Sequence, residues 1–420
     1  MNDYFKPFAP EQPNGVNVLT IAGAFPTPIQ PWLVNHLVEI IRHGGDNRVI
    51  SRRAELDQIT EAVQMHRLTE KYICVPENRV SVLKTFLSAM SNQAVRKRTI
   101  ALLSKYKGGN RSVVKRTFDV LAAPTLAVKP DIIHSHSEPV GTRLLPLIVA
   151  NGAPFVQTFH GLTPIGVPTI SADQRRVYSR AAKAVFVNTD FARKQFEAIG
   201  GESDNFIVVP QGIDLEKWRY SPCQYSDQGP INLLTVGRLD EEKGHIYAIQ
   251  AIAELLRQGH QVHYHIVGRG PQGEYLKSKA RDLGIQDRVT FHGVLIDDEI
   301  KEIYRKSHIF ILPSLRSGDG LWEETQGVVL QEAQATGLHV IACDSGGISE
   351  CLGDGKVGYL IPDRDVNAIS GAVNDILSRK SEWSFRQQEA RSWVEKHYSL
   401  SRIGEKMNTI YRHLIEDVQG

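Results

Sequence analysis

The stretch "VGRLDEEKG", Val236–Gly244, decides how this chain is read. An apolar run, Ile231–Val236, stops abruptly at Gly237-Arg238, and three acidic residues then precede Lys243 and Gly244. The pattern predicts a strand turning into a helix, with one arginine and one lysine around the corner. Such corners bind anions, because the unpaired N–H groups and the positive dipole end of the helix lie there.

Outward from that corner, the second half of the chain repeats the same texture. "INLLTVGR", "HYHIVGRGP", "VTFHGV", "IFILPS", "HVIACDSGG" and "GYLIP" read as short strands ending in glycine or polar residues, with helical segments between them. The first half does likewise. "VNVLTIAGAFP" reads as a buried strand, "WLVNHLVEIIRHG" as an amphipathic helix closed by Gly44, and "RVISRR" as the next strand. "DIIHSHS", "PFVQTFHG", "AVFVNT" and "FIVVPQG" follow. Short apolar runs alternating with helices imply parallel sheets buried on both faces, whose C-terminal strand ends line a crevice. The turn-rich segment from Trp218 to Pro230 reads as a linker. The expected fold class is therefore α/β, with two doubly wound Rossmann-like domains facing each other across a cleft. The boundaries are 1–220, 230–395 and a last segment, 396–420, whose helix "IGEKMNTIYRHLIEDV" packs back toward the first domain.

A length of 420 residues also calls for two domains. With 41% hydrophobic and 23% charged residues the composition is globular, and a net charge of +2 argues against nucleic acid as partner. Cys74, Cys223, Cys343 and Cys351 have neither CxxC nor metal-ligand spacing, which points to thiols in a reducing compartment. The first residues lack the basic start and apolar core of a signal peptide. The longest apolar stretch, around Leu144–Ala150, is far short of the roughly 20 residues of a spanning helix. The expectation is a cytoplasmic location with peripheral attachment to the inner face of the membrane.

The reason for that attachment is uneven charge. From Asn78 to Phe118 there is no acidic residue, while Arg79, Lys84, Arg96, Lys97, Arg98, Lys105, Lys107, Arg111, Lys115 and Arg116 all fall in that window. Val95, Ile100, Leu102 and Leu103 are interleaved. A solvated helix face is the plain reading. The sharper one is a patch, Arg79–Arg116, for anionic lipid head groups or a phosphorylated acceptor.

In "IVGRGPQGEYL" the pair Gly268 and Gly270 is no dinucleotide fingerprint, because Pro271 intrudes and no ribose-binding acid follows at the right distance. "WEETQGVVLQEAQATG", Trp322–Gly337, is more specific. Gly327 marks a loop becoming a helix that begins near Val328 and stops at Gly337. The first turn of that helix would offer unpaired N–H groups. Glu324 and Glu332, seven residues between them, are two surface glutamates on the plain reading. Two cations, a helix start and two hydroxyl-accepting carboxylates together make the inventory that a diphosphate, a ribose and a hexose require.

At this point the chain resembles the retaining glycosyltransferases of GT-B fold in the sucrose-synthase-like family 4, in particular bacterial exopolysaccharide and lipopolysaccharide members. "GRLDEEKG", "VGRGP", "VTFHGV", "LPS", the Glu324–Glu332 pair and "DSGGISE" carry the likeness, joined by "KPDIIHSHS", "TFHG" and "VVPQGIDLEKW" in the first domain. The resemblance implies that Arg238 and Lys243 hold the diphosphate and steady the leaving group, and that Glu332 accepts the ribose hydroxyls. It further implies that Glu324 and His160 meet the donor sugar. Gly237, Thr325, Gln326, Gly327 and Val328 would line the sugar and phosphate, and Gly268, Gly270, Val294 and Leu295 the base. Two departures stand out: Thr325 and Gln326 intervene before Gly327, and "PTPIQP" replaces a glycine-rich turn after the opening strand.

The implied activity is retaining, metal-independent transfer of a hexose from a nucleotide-diphosphate sugar, UDP-linked or GDP-mannose, to a lipid-linked or polysaccharide acceptor. The implied setting is bacterial surface polysaccharide synthesis, with no cofactor. His134 and His136 share a strand face but have no third ligand nearby in sequence, so they read as cleft lining rather than a metal site. A nucleotide-sugar 2-epimerase of the same fold would need a further carboxylate pair, which the first domain does not offer. A non-catalytic nucleotide-sugar-binding protein would not need the whole set Arg238, Lys243, Glu324, Glu332 and His160.

Overall fold

A computed structural model describes residues 3–27, 30–56, 59–75, 79–162, 168–223, 229–295, 297–316 and 322–419. Pro28 and Ile29 of the "PTPIQP" stretch, Asn78 at the edge of the basic window, and residues 224–228 of the linker lie outside the described residues.

The chain forms two compact units, one comprising Met1–His160, Pro168–Gly212 and Ile403–Gly420, the other Gly161–Val167 and Ile213–Arg402. The first contains β1 (Asn17–Ala24), β2 (Asp46–Arg53), β3 (Tyr72–Cys74), β4 (Ile132–Ser135), β5 (Phe155–Phe159), β6 (Ala184–Val187) and β7 (Phe206–Val208). Their order across the sheet is β3-β2-β1-β4-β5-β6-β7, with every pairing parallel. The second contains β8 (Ile231–Val236), β9 (Val262–Val267), β10 (Val289–Gly293), β11 (Ile309–Leu312), β12 (His339–Cys343) and β13 (Tyr359–Ile361). Its order is β10-β9-β8-β11-β12-β13, again parallel throughout. Both sheets are α/β doubly wound, and strand order reverses between β1 and β4 in one and between β8 and β11 in the other. Outside the carboxyl ends of strands at such a reversal the flanking loops part, leaving room for a ligand.

Successive apolar residues in the strands serve opposite faces. Leu19, Ile21 and Ile133 pack into one cluster of the first unit, while Val18, Ala22 and Ile132 pack into another. Leu233 and Leu234 divide between the two clusters of the second unit in the same way. Burial on both faces is why these strands read as continuous apolar runs.

The division differs from the sequence boundaries by several residues. The main stretch of the second unit starts at Ile213, where the sequence reading runs the first domain to 220. Ile213 exchanges backbone hydrogen bonds with Tyr398 and Leu400, and Trp218 is buried with its ring 4.8 Å from that of Tyr304. In the last helix, Leu400–Gln419, Met407, Tyr411 and Leu414 join the core of the first unit.

The acid-free window forms the helices Arg79–Met90, Gln93–Lys105 and most of the first half of Val113–Leu126. Val95 and Leu102 are buried, Leu103 is half-buried and Ile100 is exposed. Arg98 departs from the surface role: its Nη2 donates to the Phe5 carbonyl at 2.9 Å, tying the N-terminal segment down. Arg116 likewise donates to the Gly109 carbonyl. Lys84, Arg96, Lys97, Lys105, Lys107 and Lys115 are exposed. On the helix Arg79–Met90, Val80, Leu83 and Leu87 are 61%, 44% and 60% exposed. Their spacing of three and four puts them on one face, an apolar stripe turned to solvent beside Lys84.

Candidate functional site

In the second unit, β8 ends at Val236, just before Gly237, and the chain reaches the helix His245–Arg257 through a single short turn, Glu241–Lys243, and Gly244. Gly244 has φ +63°, and a Cβ there would lie 2.0 Å from the Pro313 carbonyl oxygen, so only glycine lets the corner sit against the end of β11. Lys243 is thereby held over the carboxyl ends of β8 and β11. Its Nζ pairs with Glu324 Oε1, and the same oxygen accepts from Ser314 Oγ at 3.0 Å. The Trp322 ring lies 5.3 Å from the ammonium. Lys243 and Glu324, 81 residues apart in sequence, are only 16% and 12% exposed.

Arg238 is more open, at 54%, and pairs with Asp240 at 2.8 Å. Its carbonyl accepts from His245 Nε2 at 2.9 Å. Burial holds the His245 ring down at about 4, so it is neutral, and a carbonyl partner fixes the proton on Nε2. His245 thus sets the path of the arginine's backbone. Both cations of the corner therefore already have carboxylate partners.

The glycine pair has a packing cause. A Cβ on Gly268 would lie 1.8 Å from the Gly237 carbonyl oxygen, and one on Gly270 2.5 Å from that of Leu239. The two residues let the loop after β9 press against the loop after β8. Gly268 N–H also donates to the Gly293 carbonyl at 2.7 Å, which brings Val294 and Leu295 alongside. Val294 is 55% exposed and Leu295 half-buried. At Gly237 a Cβ would meet nothing within 4 Å, leaving open space beside the backbone.

The helix predicted after Gly327 spans Val328–Thr336 and is closed by Gly337 at φ +102°. Its first turn is less available than the sequence suggests. Val328 N–H donates to the Gln326 carbonyl at 3.2 Å and Leu330 N–H to the Gly327 carbonyl at 2.8 Å, so two of those donors are spent. Thr325 and Gln326 are buried, and Gln326 Nε2 donates to Gln331 at 3.4 Å. The preceding loop is stitched to the glycine turn of "DSGG": Gly346 N–H donates to Glu323 Oε2 at 2.6 Å, and Gly347 N–H to the Glu324 carbonyl at 2.7 Å. Glu332 is half-buried, not a plain surface residue, and accepts from the Tyr304 hydroxyl at 3.0 Å. Burial pushes its carboxyl up to about 7, opposed by the Tyr304 hydrogen bond and by Lys217.

His160 belongs to the first unit, at the end of β5. Its Nε2 is hydrogen-bonded to His136 Nδ1 at 3.0 Å, its Nδ1 faces Gln211 Nε2 at 3.3 Å, and the Trp32 ring lies 4.1 Å away. The His134 ring lies 4.0 Å from that of His136, tilted by 32°, and bonds Tyr411 and Thr158 through its two nitrogens, at 2.5 and 2.7 Å. A fourth histidine, His36 on the helix Pro31–Arg42, completes the group, which the sequence spacing did not show. Burial drives all four imidazoles neutral: His36 to about 4, His160 to about 3, and His134 and His136 well below their usual range.

Ligand atoms of His36, His134 and His136 lie within 4.8 Å of one another, which makes them the metal-capable group among the described residues. Tetrahedral bonds of about 2.05 Å need nitrogens about 3.3 Å apart. Closing that gap would cost His134 a hydroxyl partner. As it stands, the group is a cluster of neutral imidazoles in tilted and edge-on contact.

The structure thus joins Lys243 to Glu324, and Gly237 to Gly268, and gives Arg238 and Glu332 partners of their own. Sequence reasoning missed Ser314, Trp322, Glu323, His245, Tyr304, Trp32, His36 and Tyr411. Ser314 stood in the quoted "LPS" run, Trp322 and Glu323 in "WEETQG", Trp32 and His36 in "WLVNHLVEIIRHG" and Tyr411 in the last helix, but nothing local gave any of them its role.

Two family patterns match this chain: "Glycosyl transferases group 1" over residues 217–397 and "Glycosyltransferase Family 4" over residues 64–217. The amylovoran biosynthesis glycosyltransferase AmsK of Erwinia amylovora is 27% identical over 406 residues, covering 93% of this chain and 96% of its own. The GDP-mannose-dependent alpha-(1-6)-phosphatidylinositol monomannoside mannosyltransferase of Mycobacterium tuberculosis is 26% identical over 253 residues. That match takes in 59% of this chain and 66% of the mycobacterial one, just under two thirds of its length. In fold, the chain is similar to Anabaena HepE, solved in complex with UDP. The TM-score is 0.68 at 16% identity, over 94% of this chain and 100% of that one.

Proposed function

Because this chain belongs to the group 1 and family 4 glycosyltransferases of GT-B fold, we propose that it transfers a hexose from a nucleotide-diphosphate sugar to a sugar acceptor in surface polysaccharide synthesis. The observation that carries this reading is the Lys243–Glu324–Ser314 cluster, with Arg238 beside it, at the strand reversal of the second unit. An arriving diphosphate supplies the charge that Arg238 and Lys243 now obtain from carboxylates. As the bond from the anomeric carbon to the phosphate oxygen breaks, those cations stabilise the charge growing on the leaving group, an effect worth several kcal/mol in a dry site.

Freed from Lys243, Glu324 accepts a hydroxyl of the donor sugar. Glu332 in its ionised form accepts the ribose hydroxyls. Gly237, with open space beside it, lets the diphosphate approach the backbone, and the loops at Gly270 and at Val294–Leu295 bracket the base. His160 offers a neutral imidazole to the sugar. The acceptor oxygen bonds the anomeric carbon from the face the phosphate leaves, and its proton passes to the departing phosphate oxygen, so configuration is retained. No divalent metal takes part in this scheme.

HepE was solved with UDP and the mycobacterial relative is named for GDP-mannose, so UDP- and GDP-sugars are the first donors to try. The basic window and apolar stripe of residues 79–116 suit peripheral contact with an anionic membrane, and hence a lipid-linked acceptor. No helix among the described residues is long and apolar enough to cross one. The test is a thermal-shift screen of UDP-, GDP- and ADP-sugars. A donor at a hundred times its Kd adds about 2.7 kcal/mol. Product anomers would then be assigned by NMR with chelator present. Folded protein that binds and turns over none of these donors would refute the reading, and an inverted product would refute retention.

A further inference from the structure

The first unit carries an array of polar rings that the sugar-transfer scheme uses only at its tip. His160 is that tip, and its Nε2 is bonded to His136 Nδ1 at 3.0 Å. The other nitrogen of His136, Nε2, is buried without a hydrogen-bond partner, so hydrogen bonds hold this ring at one atom. A ring held at one atom swings about it unless packing stops it. Here two imidazoles do so. The His134 ring lies 4.0 Å from that of His136, tilted by 32°, and the His36 ring meets it edge-on at 5.0 Å.

A single oxygen ties those two imidazoles together. The Tyr411 hydroxyl meets His134 Nδ1 at 2.5 Å and His36 Nε2 at 3.2 Å. Tyr411 stands on the last helix, 277 residues beyond His134, and is 1% exposed in the cluster that also buries Met407 and Leu414. Phenylalanine would satisfy the packing there. A hydroxyl placed in such surroundings is costly unless bonded, and this one is bonded twice.

The protons of the array also balance. His36, Tyr411, His134 and Thr158 form a chain of three hydrogen bonds, the last joining His134 Nε2 to Thr158 Oγ1 at 2.7 Å. Whichever way the chain runs, each bond contains one proton. Without the Tyr411 hydroxyl two of the three bonds vanish, and Nδ1 of the fully buried His134 is left bare. The His134 ring can then turn about Thr158 and no longer fixes His136.

We propose that Tyr411 is a positioning residue for sugar transfer. Its hydroxyl locks His134 and His36, these wedge His136, and His136 holds the imidazole of His160 at the angle at which it meets the donor sugar. The part played by His160 rests on the transferase reading; the geometry of the array does not.

The test is Tyr411→Phe, which keeps the ring and removes the oxygen. With a donor found in the thermal-shift screen, kcat should fall about tenfold, because a reacting group held off its angle loses orientation. The nucleotide Kd should stay within about twofold of wild type, since the residues assigned to the nucleotide belong to the second unit. His136→Leu should cost as much as Tyr411→Phe. His136→Asn, whose amide reaches where Nδ1 does, should recover most of that loss. Tyr411→Phe added to His136→Leu should lower kcat no further, because both act through one ring. A lower melting midpoint with kcat unchanged, or losses that add in full, would make Tyr411 a packing residue and overturn the proposal. Should Tyr411→Phe not fold, the pair at His136 decides alone: equal loss in both overturns it.

A second readout needs no turnover. The His160 ring signal in a proton–nitrogen correlation spectrum of histidine-labelled protein, identified by its absence from His160→Gln, should shift in Tyr411→Phe. If it shifts in a chain that turns over no nucleotide sugar, the transferase reading fails and the array stands. If sugar is transferred and the signal does not move, the array fails and the transferase reading stands.

Discussion

Replacing Glu332 with glutamine separates what the carboxylate costs from what it does. Folding carries this carboxyl from its ordinary 4.5 to about 7, with burial as the leading cause. A carboxyl raised on folding favours the native state only while protonated. Its contribution is whole below pH 4.5 and is lost as pH rises to 7, after which the loss is constant. The shift of 7 − 4.5 = 2.5, at about 1.36 kcal/mol for each, sets a ceiling of about 3.4 kcal/mol, lowered by the residue's partial exposure. Glutamine keeps the shape and an oxygen for the Tyr304 hydroxyl, and has nothing to ionise. Glu332→Gln should therefore match wild type at pH 4.5 and exceed it at pH 8 by up to about 3 kcal/mol, or about 6–12 °C in the midpoint of a unit this size. Buried His245 and His339 also titrate below neutrality, so the difference between the two proteins at each pH is the quantity to read, by scanning calorimetry. Nucleotide affinity should move oppositely: in wild type it should fall as pH drops below 7, and in the variant it should be weak and independent of pH. An offset that is the same at pH 5 and pH 8, or no offset at pH 8, would refute the burial argument.

The other expectations concern the cations and the surface. Arg238→Ala or Lys243→Ala should lower kcat by about a hundredfold or more with the fold intact; near-wild-type rates would remove both from the diphosphate. Glu324→Gln leaves Lys243 without its counter-ion, so UDP should bind at least threefold tighter while turnover falls at least tenfold. An unchanged UDP Kd would show that carboxylate and diphosphate do not compete for one ammonium. His245→Ala should cut kcat about tenfold by releasing the Arg238 carbonyl, and His245→Gln, whose amide N–H can replace Nε2–H, should recover most of it. Equal loss in both would mean that the ring's volume matters and its hydrogen bond does not. Neutralising Arg96 and Lys97 together with Leu87→Asp should weaken sedimentation with anionic vesicles and leave soluble-acceptor rates unchanged; unaltered sedimentation would retire the membrane contact. Arg98 is left out of that set because it holds Phe5.

What could be read from the sequence was local, and what could not was compensation between distant groups. Periodicity and glycine placement located the strand ends at Gly237 and Gly268 and the helix from Val328 to Gly337, because each depends on a handful of consecutive residues. The same reading named Lys243 and Glu324 as two independent contributors, whereas in space each satisfies the other. The resemblance implied a donor-binding role for Gly268 and Gly270, and steric contact with the β8 loop gives both a packing reason to be glycine as well. Local pattern also gave the Val328 helix a free first turn, which short-range carbonyls partly fill. His36 joined His134 and His136 only once a helix from one end of the first unit met a strand from its middle. These differences have a common physical consequence. The resting site already balances its charges, so donor binding is an exchange of partners rather than the filling of a cationic hole. Its net energy is then a difference between two sets of ion pairs, and that difference explains why removing a carboxylate should tighten nucleotide binding while slowing transfer.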